Sequence, residues 1–293
     1  YSGVETDGTS VVTHGRIVTG SITRAYFLYN DSLTHVAGWN VTDTTPNPNP
    51  SQDYGNSYVF DGTFITAAIH SSLDVVNLIK FNATTGAVVW QNKFVGCAGD
   101  DEVGKAGTKM YLHEHGGFLT LLSVSEYTQL AAASNYVMLL WRVPSDGTGH
   151  GTYGNYQYTS SNFITLASQS AANGSNSNVG ATAYTPTDYT LTTTQLDPNI
   201  TVNKYDLATP GSPAGESYWI QVVTGGSTPA MYGVDCNDST GDIYVAGLID
   251  GTNNDAIAMK FNNAGTVQWQ RTLSGAGNDF FQGVKVGSDG TVY

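Results

Sequence analysis

The sequence predicts an all-β fold, a β-propeller built from repeats of about 40–50 residues and interrupted by a low-complexity Ser/Thr-rich insertion. Three observations point there: two elements that recur along the chain, apolar residues that alternate with polar ones, and a composition suited to short strands and tight turns.

The first element emerges when Gly233-Val234-Asp235-Cys236 is set against Gly283-Val284-Lys285-Val286. Both copies read Gly-Val-x-apolar, then a polar turn, then an apolar residue and Tyr. Tyr244 and Tyr293 lie 49 positions apart. Fainter copies begin at Gly3-Val4-Glu5-Thr6-Asp7-Gly8 and Tyr58-Val59-Phe60-Asp61-Gly62. The second element runs from Lys260-Phe261-Asn262 through Gly265 to Trp269-Gln270, and from Lys80-Phe81-Asn82 through Gly86 to Trp90-Gln91. Lys204-Tyr205-Asp206 followed by Trp219 is a looser version, and residues 142–147 fit its first half. Trp219 and Trp269 are 50 positions apart.

Each element reads as a β-hairpin. Alternation gives strands with one buried face. Asp-Gly and Asn-Ala-Gly supply the left-handed positions of tight turns. A Trp recurs because one large ring can fill the same gap in every unit. One small sheet cannot bury both faces, so such units stack. Unit starts fall near Gly3, Tyr58, Gly104, Met231 and Phe281, and the last unit is short. The chain opens on Tyr1 rather than Met and stops inside a repeat. The expectation is a processed or partial piece of a longer polypeptide.

Hydrophobic residues make up 40% of the 293, enough for a sizeable core. Only 12% are charged, about half the usual ~25%, so solubility rests on Ser, Thr, Asn and Gly. The net charge of −13 repels nucleic-acid phosphates and anionic lipid, and no Lys/Arg cluster overrides it. No apolar run reaches the ~18 residues of a spanning helix. The expectation is therefore no nucleic-acid partner, no membrane and no cofactor. Two cysteines, Cys97 and Cys236, make no disulfide framework. Cys236 stands where the later copy has Val286, so it reads as a buried thiol.

The repeat breaks after Gly147. No Trp strand follows on schedule. Instead comes a glycine- and tyrosine-rich stretch and then an almost uncharged Ser/Thr/Ala/Asn run to about Leu196. The domain reading is thus propeller units over 1–146, the insertion over 147–200, and further units over 201–293. Insertions in repeat proteins map to one face, often the binding face.

Residues 255–293 resemble the propeller-type repeats of bacterial and phage surface proteins. Residues 143–158, with the Ser/Thr-rich tail after them, look like a stretch found in virion structural and tail-fibre-like proteins of marine phages, cyanophages especially. What the resemblance implies is a non-enzymatic virion component, such as a tail fibre, a tail-associated protein or a surface-exposed one, for host attachment or virion assembly. Its partners would be other virion proteins or a host-surface glycan or receptor, in a homo-oligomer or larger assembly. It implies no catalytic residues. A bacterial secreted or cell-surface adhesin and a propeller polysaccharide lyase or hydrolase are the alternatives.

Candidate sites are few. Tyr153, Tyr156 and Tyr158 sit among Gly and Asn in the insertion, a composition shared with adaptable binding loops; the competing reading is that they pack the insertion onto the body. His113 and His115, at i and i+2 of a strand, share a face and could meet one ion; the competing reading is a hairpin edge. Asp100 and Asp101, with Glu102, offer oxygen ligands for calcium, against ordinary turn carboxylates. No Gly-x-Ser-x-Gly elbow, phosphate-cradling glycine loop or His-Glu-x-x-His occurs. A Cys97–histidine pair and two carboxylates converging for glycan cleavage remain conceivable on paper. Six Asn-x-Ser/Thr sequons, the first at Asn30, are what chance produces in such a chain.

Overall fold

A computed structural model describes residues 3–18, 22–30, 32–44, 57–72, 75–96, 111–115, 117–127, 135–154, 156–170, 201–206, 219–224, 230–237, 239–249, 254–275, 277–287 and 289–293. They form strands and turns only. Among them no helix is long and apolar enough to cross a membrane. The fold is all-β, with four antiparallel sheets, none of them closed on itself.

The first sheet is the meander β1 (Gly3–Thr6), β2 (Ser10–Val18), β3 (Ile22–Asn30) and β4 (His35–Asp43). The second is β5 (Ser57–Phe60), β6 (Phe64–Ser72), β7 (Val75–Asn82) and β8 (Val88–Gly96). The third opens with β9 (Tyr111–His115), β10 (Phe118–Tyr127) and β11 (Asn135–Pro144). The chain then leaves that sheet. β12 (Gly151–Tyr153) and β13 (Tyr156–Ser160) extend the second sheet beyond β8, and β14 (Ile164–Ser168) extends the first beyond β4. The third sheet is completed by β15 (Thr201–Asp206) and β16 (Trp219–Thr224), with β16 between β15 and β11. β17 (Ala230–Cys236), β18 (Ile243–Ile249), β19 (Asp255–Phe261) and β20 (Val267–Leu273) make the fourth sheet. A last hairpin follows, in which Lys285 and Tyr293 exchange backbone hydrogen bonds of 3.0 and 2.8 Å.

The register confirms the internal repeat. Lys80 pairs with Trp90, Arg142 with Trp219 and Lys260 with Trp269. Asp235 pairs with Tyr244 as Lys285 does with Tyr293. One pairing differs from the sequence reading. The half-element before Trp219 is residues 142–147, not 204–206, because the outermost place goes to β15. The fourth strand of the third unit is delayed by the chain's excursion, not lost. The front of the insertion is therefore woven into two sheets. Residues 171–200 lie outside the described residues, as does the expected unit start at Gly104.

The sheets stack face to face with one apolar core between each successive pair. Tyr26, Ile65 and Phe81 anchor the core between the first and second sheets. Phe94, Leu121 and Trp141 anchor the next. Trp219, Val245, Met259 and the Cys236 thiol, 7% exposed, fill the third. Burial of such side chains supplies roughly 1.5–3 kcal/mol apiece.

Each interface is closed by a repeated contact. Trp39 of β4 lies over Gly86 of the second sheet, Trp90 of β8 over Gly147 of the third, and Trp219 of β16 over Gly265 of the fourth. A Cβ at Gly147 would sit 2.6 Å from the Trp90 ring, and one at Gly265 would sit 2.7 Å from Trp219. The turn backbones are left-handed there, with φ of 84° and 79°, so glycine serves both the turn and the approach of the ring. Each indole N–H donates to a turn carbonyl: Trp39 to Ala83 at 2.7 Å, Trp90 to Ser145 at 3.2 Å, Trp219 to Asn263 at 3.3 Å.

Candidate functional site

The first strand of every sheet faces one common cavity of about 1080 Å³. β1, β5, β9, β17 and the last hairpin supply its wall. β5 runs beside both β1 and β9, and β9 beside β17.

The charged groups of this wall meet across the sheet boundaries. Lys80 Nζ lies 3.1 Å from Glu114 and 3.4 Å from Asp61, tying the second sheet to the third. Nδ1 of His113 lies 3.3 Å from Asp235, tying the third to the fourth. Asp235, only 6% exposed at its side chain, also meets Lys285 Nζ at 3.4 Å and accepts the Val286 N–H at 2.8 Å. Glu5 opens onto the cavity from the first sheet. Loss of water around its carboxyl raises its pKa; Lys285 pulls it down and Asp235 pushes it up. First and last segments thus face each other across the opening. The wall is mixed in sign, and its carboxylates of Asp61, Glu114 and Asp235 are held by cationic or imidazole partners.

Tyr153, Tyr156 and Tyr158 lie at the opposite edge of the second sheet from this cavity. Their rings are 0, 1 and 0% exposed. Tyr158 stacks on Phe94 at 4.7 Å between centroids, and Tyr156 meets Trp141 edge-on at 5.4 Å. The Tyr153 hydroxyl donates to Gly149 O at 2.6 Å, and the Asn92 amide donates to the Tyr158 hydroxyl at 2.6 Å. Strand pairing of β12 and β13 onto β8 brings all three into the core between the second and third sheets. They pack the front of the insertion onto the body and offer no exposed ring.

His113 lines the cavity, and His115 pairs with Phe118 in the ladder of β9 and β10. Among the described residues no group of three or more His, Cys, Asp or Glu is arranged to hold a metal ion. Asp100, Asp101, Glu102 and Cys97 lie outside the described residues.

Apart from His113, the cavity residues were not singled out by sequence reasoning, yet a signal existed. Glu5, Asp235 and Lys285 all occupy the x of the repeated Gly-Val-x. A charged residue at the same place in three copies marks a position that faces a shared polar space. No known family model matches the chain, and no curated protein is similar to it.

Proposed function

We propose that this chain is a β-propeller scaffold without catalytic chemistry of its own, exposed on a phage particle, where it serves host attachment or virion assembly. The observation that carries the propeller reading is the common cavity: four sheets stack through equivalent Trp-on-turn contacts and each offers its first strand to the same space. Stacked four-stranded meanders around an axis are how propellers protect their sheet edges. The resemblance of residues 143–158 and 255–293 to virion and surface proteins supports the particle setting. A sparsely charged exterior also supports it, since such a surface depends little on ion pairs that salt would screen. The partners are other virion proteins or a host-surface glycan or receptor, and the chain works as part of a larger or homo-oligomeric assembly.

Mass spectrometry of purified virions, with peptides mapped onto this chain, tests the reading. Recovery in fixed ratio to capsid and tail proteins is the expected result. Absence from particles together with recovery in a cell-surface or secreted fraction overturns the virion setting and leaves a bacterial adhesin in its place.

A further inference from the structure

Glu5, Asp61 and Glu114 line the common cavity from three different sheets, and Lys285 faces them from the last hairpin. Behind this layer Lys80 lies against both Asp61 and Glu114, and Asp235 lies against Lys285 and His113. Both ammonium groups of the wall therefore already face a carboxylate. Lys80 is engaged by two, with its side chain only 12% exposed. An ion pair does not exhaust a carboxylate, because each oxygen has two lone pairs. The wall is thus rich in acceptors and poor in unclaimed positive charge.

Between the acceptors the wall is apolar. Val59, Leu112 and Val234 come from three of the first strands. Beside Val234 the backbones of β17 and the last hairpin almost touch: a Cβ at Gly233 would sit 2.7 Å from the Gly283 Cα, so that stretch is bare of side chains. Tyr232 lines the cavity next to it, and its ring meets Phe280, 48% exposed, edge-on at 6.2 Å. The exposed Gln282 adds an amide, donor and acceptor at once. At about 1080 Å³ the space stands at the upper end of the roughly 300–1,000 Å³ of small-ligand sites.

We propose that this cavity is a binding site for a neutral oligosaccharide, whose hydroxyls donate to Glu5, Asp61 and Glu114 and whose C–H faces lie against Tyr232 and the apolar stretches of the wall. A sugar ring has the matching composition, apolar on its faces and hydroxylated around its rim. Its hydroxyls donate to a carboxylate that keeps its lysine, in charge-assisted bonds. An anionic ligand has to draw Lys80 or Lys285 away from its carboxylate and leave a charge uncompensated, and the net charge of −13 opposes its approach. A cationic ligand competes with the same two lysines. This deepens the attachment reading and rests on it: the host-surface glycan is neutral, and it sits among the first strands instead of on the insertion, whose Tyr153, Tyr156 and Tyr158 are buried.

The test screens the 293-residue chain on an array of neutral, acidic and amine-bearing glycans, then titrates it calorimetrically with the best-bound soluble oligosaccharide. Binding to neutral saccharides in preference to the other two classes is expected. Glu5→Gln removes one carboxylate, and Gln282→Trp fills the space, both at exposed positions. Each should melt with the parent and bind the oligosaccharide several-fold more weakly. No neutral saccharide bound across the array overturns the proposal, as does a preference for sialylated, uronate or sulfated glycans or for glucosamine oligomers. Unchanged affinity in both variants overturns the placement in the cavity. Should either variant melt early, hydroxyl-radical footprinting of the parent decides: several-fold protection of Tyr232 by the bound oligosaccharide supports the site, and equal oxidation with and without it overturns the site. Neutral-saccharide binding by a chain absent from virions keeps the cavity site and rejects the particle setting, whereas a virion component that binds none keeps the setting and rejects the site.

Discussion

The Asp235 carboxylate stands 3.3 Å from His113 Nδ1 on the neighbouring sheet and accepts the Val286 N–H of the last hairpin at 2.8 Å. One buried acid thus joins three segments far apart in sequence. Asp235→Ala removes an ion-pair partner and leaves the partly buried Val286 N–H without its acceptor, a loss of about 1–2 kcal/mol. Asp235→Asn keeps an acceptor for Val286 and recovers part of it. Urea unfolding gives the two values, and hydrogen exchange at the Val286 amide should quicken in the Ala variant. Two variants as stable as the parent would mean that the hairpin is held by its apolar residues alone.

The Trp-on-glycine contacts can be separated from ordinary turn strain. Gly117 and Gly147 have nearly equal φ, 83° and 84°, but a Cβ at Gly117 meets nothing within 4 Å while one at Gly147 meets the Trp90 ring. Gly117→Ala costs the left-handed backbone alone, roughly 1–2 kcal/mol. Gly147→Ala costs that and the displacement of the ring, at least ~1 kcal/mol more by analogy with overpacked cores. Leu33→Gly should run the other way. It relieves the left-handed Leu, offset by the wider freedom of glycine in the unfolded chain, for a net gain of up to about 1 kcal/mol. Equal losses at Gly117 and Gly147 would remove the ring from the account.

These contacts mark what the sequence could reveal. The hairpins of Lys80 with Trp90 and Lys260 with Trp269 were legible because both halves are local and the turn glycine stands between them. The first sheet was hard to see because Leu33 replaces that glycine and breaks the pattern while the turn's hydrogen bonds persist. β12–β14 were read as the start of an insertion because their partners, β8 and β4, lie far upstream, and nothing local in a strand names a distant partner. The cavity was half legible: Gly-Val-x repeats a charged residue, but the meeting of Asp235 with His113 depends on how sheets stack.

Tyrosines in the insertion act on stability. Tyr156→Ala and Tyr158→Ala each open a cavity beside Trp141 or Phe94 and should cost about 3–5 kcal/mol, as for other large aromatic truncations. Tyr158→Phe keeps the stack and loses only the bond from Asn92, about 1 kcal/mol, since Asn92 still donates to Gly147 O. Thermal unfolding separates these cases. Glycan-array binding by the Phe variant should match the parent, because the hydroxyl is buried; a selective loss of binding with unchanged melting would restore these rings to a recognition role.

Alkali should unfold the protein through two hydroxyls of the core, those of Tyr158 and Tyr58. Burial raises the Tyr158 pKa well above the usual value for tyrosine, opposed only in part by the Asn92 hydrogen bond. Burial raises Tyr58 likewise, and the nearby Glu5 charge adds to it. In the unfolded chain both ionise near pH 10. Below that, both states hold the protons and the stabilisation is fully present. Above it, the unfolded chain sheds protons that the folded chain keeps, so stability falls as pH rises, by up to about 1.4 kcal/mol per unit for each tyrosine. Tyrosinate absorbance near 295 nm should therefore appear partly in step with the loss of the far-ultraviolet β signal. Tyr58→Phe starts lower at neutral pH, since it loses the bond from the hydroxyl to Val12 O, but its decline above pH ~10 should be shallower. Identical alkaline slopes in parent and variant would show that Tyr58 ionises freely in the folded state, and that the contact between the first two sheets admits water.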